Sequence, residues 1–141
     1  MSKPVFYLKR AYLFMRKSFD ERLKQHDLTT SQFEVMGHLY PSHLMDQQEL
    51  QQRNGITSAT LTGILDKLEE RGLLSRIPSN LDGRSKQVQL THEGQTLFSQ
   101  LIHLVHDFED VMLKGFSAAE RALLADWLQR ITVNLGDSGP A

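Results

Sequence analysis

The stretch "QQELQQRNGITSATLTGILDKLEERGLLSR", Gln47 to Arg76, decides how this chain folds. Asp46 and Glu49 are spaced as a capping box that opens a short helix, and Asn54-Gly55 is the turn that ends it. Thr57 is placed to cap a second helix, whose stripe of Leu61, Ile64, Leu65 and Leu68 runs until Gly72. The period then changes. "LLSRI" and "KQVQL" alternate as strands, with Val88 and Leu90 facing one way and Gln87 and Gln89 the other. Pro78 sits where the first strand should end, and Asp82-Gly83 supplies the positive φ that a sharp reversal needs. Two helices across a tight turn, followed by a hairpin, make a winged helix-turn-helix.

Outward from this unit the sequence is helical on both sides. Leu8, Tyr12, Met15, Phe19 and Leu23 recur at helical spacing in a long first helix. Thr29-x-x-Gln32 is a capping box before Phe33, Met36, Leu39 and Tyr40, and Pro41 closes that helix. Thr91 starts a long fifth helix with a stripe of Leu97, Leu101, Leu104, Phe108 and Val111. Ser117-x-x-Glu120 opens a last helix carrying Leu124, Trp127, Leu128, Ile131 and Leu135. The expected fold is mainly α with a small β-hairpin wing: four helices, a hairpin, two helices. Residues 1–141 form a single domain, with a DNA-binding lobe at 28–92, flanking helices at 1–27 and 93–135, and a tail at 136–141.

A chain of 141 residues with 40% apolar and 23% charged residues can bury a real core, so disorder is excluded. The absence of cysteine excludes disulfides, cysteine-ligated zinc and thiol redox sensing. No apolar run is long enough to span a membrane, and "MSKPVFYLKR" has no signal-peptide core, so a soluble cytoplasmic protein is expected. Net charge is -1, but it is unevenly spread. Residues 1–26 carry seven bases against two acids and 53–92 carry six against four, whereas 27–52 have four acids and no base. A basic zone of this kind can face phosphates although the whole chain is near neutral. No nucleophile–base motif, Gly-rich phosphate loop or His-Glu-x-x-His occurs, so no enzyme, catalytic residue or cofactor is expected. His103, His106, Asp107 and Asp110 fall within two turns of the fifth helix. Zinc held there would make a metal-responsive protein of the same fold; a polar helix face explains the spacing better, and no metal ligand is assigned.

In a winged helix-turn-helix the second helix enters the major groove of double-stranded DNA and the wing meets the backbone or minor groove. The helix face opposite the apolar stripe holds Ala59, Thr62, Gly63 and Asp66. Base contacts are therefore expected from Ser58, Thr60 and Thr62, with methyl contact from Ala59 and a phosphate contact from Lys67. Arg84, braced by Asp82, suits a narrow and strongly negative groove, and Lys86 suits a phosphate.

The segments "LTTSQFEVMGHL" (28–39), "QQELQQRNGITSATLTGILDKLEERGLLSR" (47–76) and "DGRSKQVQLTHEG" (82–94) together resemble the MarR family of transcriptional regulators, from Leu8 to about Leu135. The wing pattern, Asp82-x-Arg84-Ser85 followed by Val88-x-Leu90-Thr91-x-x-Gly94, is the most discriminating part and adds Ser85 to the expected DNA contacts. The resemblance implies a homodimer through the terminal helices, here with Leu8, Tyr12, Leu124, Trp127, Leu128 and Ile131. It also implies two wings straddling a palindromic operator, and repression relieved by a small aromatic ligand. A hollow beside Gly37 and His38, walled by Met15, Phe19, Phe33 and Tyr40 and with Arg16 at hand, is the place expected for such a ligand; the alternative is that His38 is a surface or satisfied histidine and Gly37 only lets helices approach. One departure stands out: Gly63 occupies a recognition-helix position where the family frequently has a basic residue.

Overall fold

The computed structural model describes residues 1–78 and 86–137. Element order is α1 (Lys3–Leu23), a 3-10 turn (Lys24–His26), α2 (Thr30–Leu39), β1 (Met45–Asp46), α3 (Gln47–Asn54), α4 (Ser58–Glu70), β2 (Leu74–Pro78), β3 (Lys86–Leu90), α5 (His92–Met112) and α6 (Ala118–Asn134). The chain divides into two compact units, Met1–Ile102 and His103–Ala141.

The first unit contains the winged helix. Its sheet is three-stranded and antiparallel in the order β1-β3-β2, with Met45 opposite Val88 and Arg76 opposite Val88 on the other side. The two-stranded hairpin expected from sequence thus gains a third strand of two residues, too short to leave a periodic signal. Asp46 occupies the N-cap of α3 with extended backbone that also pairs with Gln87, but its carboxylate caps nothing, contrary to the expected box. The other two boxes form. Thr29 and Gln32 exchange hydrogen bonds of 3.0 and 3.1 Å, as do Ser117 and Glu120. Gly55 takes the left-handed conformation (φ +64) that closes α3, a geometry costly for any residue with a Cβ.

Leu61, Leu65 and Leu68 of α4 are buried with Leu23, Met36, Leu39, Leu50, Leu74 and Val88. This one core closes the lobe, and Ile64, expected in the stripe, is only half-buried. On α5 the buried residues are Phe98, Leu101 and Phe108, while Leu97 and Leu104 are half-buried and Val111 is exposed. Phe98 is added to the expected stripe, and Gly94, one turn before it, lies flat on the chain: a Cβ there would stand 2.1 Å from the Leu73 carbonyl oxygen. Thr91 fixes that approach. Its hydroxyl donates to Gly72 O at 2.6 Å and accepts from Gly94 N at 3.1 Å, and its amide donates to Leu73 O at 3.1 Å.

In the second unit, α6 starts from its capping box and buries none of its residues. No helix among the described residues is long and apolar enough to cross a membrane.

Candidate nucleic-acid interface

Helix α4 begins where Thr57 Oγ1 accepts a hydrogen bond from Thr60 N at 3.2 Å, which orients the first turn. Ser58, Ala59, Thr60, Thr62 and Lys67 are all exposed on it, as expected for a surface that meets a partner. Two of the three hydroxyls have local bonds: Thr60 Oγ1 accepts from Thr57 Oγ1 at 2.8 Å, and Thr62 Oγ1 donates to Ser58 O at 2.9 Å. Each keeps acceptor capacity for an incoming donor. A Cβ on Gly63 would meet nothing within 4 Å, so packing inside the chain does not require glycine there.

Guanidinium groups hold the helix on two flanks. From β2, Arg76 reaches Asp66 at 2.7 Å, Glu69 at 3.6 Å and the Thr62 carbonyl at 3.2 Å. At the C-terminal end, Arg71 donates to Asp27 O at 2.6 Å and His26 O at 3.2 Å, which ties α4 to the turn after α1. That turn is left-handed at Asp27 (φ 55). Neither arginine was singled out from the sequence. Alternation in "LLSRI" does place Arg76 on a strand following a helix rich in acids, which is the signal that was available.

Ser58 and Lys86 line one groove together with Asp46, Gln47, Gln48, Gln51 and Leu61. The structure thus brings the start of α4, the start of β3 and the glutamine-rich first turns of α3 to one place. The glutamines were missed because a run such as "QQELQQ" reads as a solvated helix face. Lys67 lines a different cleft, of about 950 Å³, with Lys17, Lys24 and Arg71 on the other flank of α4. Asp82, Arg84 and Ser85 lie outside the described residues.

The aromatic residues expected around a hollow are packed through Phe98, which the sequence did not single out. Phe19 meets Phe33 edge-on at 5.4 Å between ring centroids, Phe33 stacks on Phe98 at 4.7 Å, and Tyr40 lies 4.8 Å from the same ring. A Cβ on Gly37 would contact Phe98 Cζ at 3.4 Å. Met15 and His38 are half-buried. Burial, and then the Arg53 charge, press the His38 imidazole below its ordinary pKa against the opposing pull of Glu34. Arg16 donates to Ser31 Oγ at 2.8 Å and pairs with Glu34 at 3.3 Å, in a groove that also holds Tyr12, Asn54, Gly55 and Ile56.

The MarR family model matches residues 28–86, from the residue before the α2 capping box to the first residue of β3. A mutant of E. coli MarR complexed with operator DNA has a TM-score of 0.83 with this chain at 27% identity, covering 92% of this chain and 94% of the other. Residues 28–86, which hold the helix-turn-helix, thus match the MarR family in sequence. BpsR of Bordetella bronchiseptica, described for regulation of its DNA binding by 6-hydroxynicotinic acid, gives 0.85 at 24% identity over 93% and 99% of the two chains. S. aureus MepR in a DNA complex gives 0.85 at 21%, over 95% and 98%. These likenesses show that the winged helix-turn-helix fold is shared over more than nine-tenths of the chain.

Outside that lobe, apolar residues of the terminal helices stand in the open. Leu8 and Tyr12 on α1 are 40% and 52% exposed, and Trp127, Leu128 and Ile131 on α6 are 52%, 38% and 36% exposed. Leu124 is half-buried. Among the described residues no group of three or more His, Asp or Glu is arranged to hold a metal ion.

Proposed function

We propose that this chain is a MarR-family transcriptional repressor that binds a palindromic operator as a homodimer and releases it when a small aromatic acid binds. The observation that carries the DNA reading is the open face of α4, which presents short uncharged side chains from a capped helix start beside Lys86. Short side chains let the helix backbone approach base edges closely, with Ser58, Thr60 and Thr62 as hydrogen-bonding groups and Ala59 against thymine methyls. Lys86 takes a phosphate, and Arg84, assigned from sequence, takes the minor groove.

Dimerisation is supported by the exposed apolar residues of α1 and α6, which no part of the same helices covers. The ligand reading is supported by Arg16, a guanidinium lining a groove against the helix-turn-helix turn, and by the precedent of BpsR and its hydroxylated aromatic acid. A carboxylate there would compete with Glu34 for Arg16, beside the residues that lead into Thr57. Such a ligand releases DNA only to the extent that it binds the DNA-incompetent state more tightly.

Selection from a random DNA pool with purified protein is expected to enrich an inverted repeat. On that site Arg84→Ala weakens binding by about 1–3 kcal/mol per half-site, and Lys86→Ala makes the salt dependence shallower by about one. Enrichment of nothing above input, or affinity unchanged by both substitutions over a range of salt, would remove the DNA reading.

A further inference from the structure

The wing strand does more than carry a fingertip. Helix α4 holds Asp66, Glu69 and Glu70 against a single Lys67, an unfavourable balance for a helix entering a polyanion's groove. Acids in its last turns also lie at the end of the helix dipole where negative charge is least welcome. Arg71 does not relieve them, because its guanidinium is turned to the backbone carbonyls of His26 and Asp27. Arg76 does. It crosses from β2 to contact Asp66 and Glu69, which are themselves about half exposed, and adds a bond to the Thr62 carbonyl. Its side chain is only 19% exposed, so water screens the pair less than it would an ordinary surface bridge.

We infer that Arg76 is a positioning residue for DNA recognition, which masks the carboxylates of Asp66 and Glu69 so that α4 can approach the phosphates. The same contacts lock helix to wing, so base readout and wing placement are set by one side chain. This inference rests on the DNA-binding reading of the lobe.

The test is a charge-rescue series on the selected operator, with each protein's thermal unfolding recorded alongside. Arg76→Met exposes two carboxylates to the DNA and should weaken binding about tenfold or more at low salt, with the penalty shrinking as salt rises. Restoring neutrality with Asp66→Asn and Glu69→Gln in the Arg76→Met background should bring affinity back to within about threefold of wild type, although the cross-links are gone. Arg76→Lys keeps the charge and should retain most of the affinity. If Arg76→Met proves unfolded, Arg76→Lys and the neutralised triple variant still decide the matter. Loss of affinity in those two that equals the loss in Arg76→Met, or a penalty independent of salt, overturns masking and leaves Arg76 a structural brace. A wild-type protein that binds no DNA removes the reading beneath it, a result the wild-type arm reports by itself.

Discussion

Helices α4 and α6 start alike and end differently. Each opens on a hydroxyl that accepts a hydrogen bond from a backbone amide three residues on, Thr57 from Thr60 and Ser117 from Glu120. Each then carries a leucine-rich stripe. Yet Leu61, Leu65 and Leu68 of α4 are at most 1% exposed, while α6 buries no residue and leaves Trp127 52% exposed. Caps and propensity decide that a helix forms; only a facing surface decides that its stripe is hidden. The lobe supplies that surface from its own chain. The terminal helix does not, and an apolar face of that kind in a stable protein calls for a partner surface.

The largest expected effect tests that difference directly. Leu128→Asp places a carboxylate on the α6 face where the proposed dimer buries leucine, twice per dimer by symmetry. Unpaired buried charge should cost about 4 kcal/mol or more, enough to abolish dimers at micromolar protein in sedimentation. The winged lobe, whose core lies within its own chain, should keep its near-native amide protection. A wild-type protein that sediments as a monomer would end the contrast between a self-sufficient lobe and a dependent helix.

The reverse experiment attacks the lobe. Gly94→Ala drives a methyl into the Leu73 carbonyl oxygen, a backbone atom that cannot swing aside. The Thr91 bonds to Gly72, Leu73 and Gly94 hold both sides of this contact. Destabilisation of about 2–3 kcal/mol is expected, read as a fall in the denaturant midpoint. A variant as stable as wild type would mean that the start of α5 can lift from the Leu73 backbone freely.

These two sites also show what could be read from residues alone. Gly94 and Thr91 were legible as part of the wing pattern that resembles the MarR family; their reason, a backbone contact with Leu73, is not local. The helices were legible from caps and period, but Phe98, which α5 buries beside the expected Leu101 and Phe108, was not, since it packs on rings distant in sequence. Strand β1 was invisible because two residues carry no period. In the site, exposed residues of α4 followed from helical geometry. Arg71, Arg76 and Phe98 were missed, because their roles arise from partners on other elements, 7 to 65 positions away. Long-range pairing is the part that pattern cannot supply.

The smallest expected effect concerns how the first helix is tied to the lobe. Asp20 Oδ1 on α1 accepts a hydrogen bond from Thr30 N at 2.7 Å, so a carboxylate of one helix serves the first turn of the next. Burial alone would raise its pKa, but hydrogen bonding from Thr30 and the charge of Arg16 outweigh it, and the carboxyl sits below its ordinary value. A lowered carboxylate pKa means that the folded state favours the ionised form. Its contribution is complete above the unfolded pKa of about 3.9 and disappears as pH falls through the lower folded value. Asp20→Asn keeps an acceptor oxygen and removes the charge, so the stability difference between wild type and variant isolates the ionised group. Because Asp20 is exposed and partly screened, that difference should stay below about 1 kcal/mol at pH 6. It should shrink toward zero between about pH 4 and pH 2. A difference that is constant across this range would show that the helix junction depends on hydrogen-bond geometry alone, and that charge plays no part in joining α1 to the lobe.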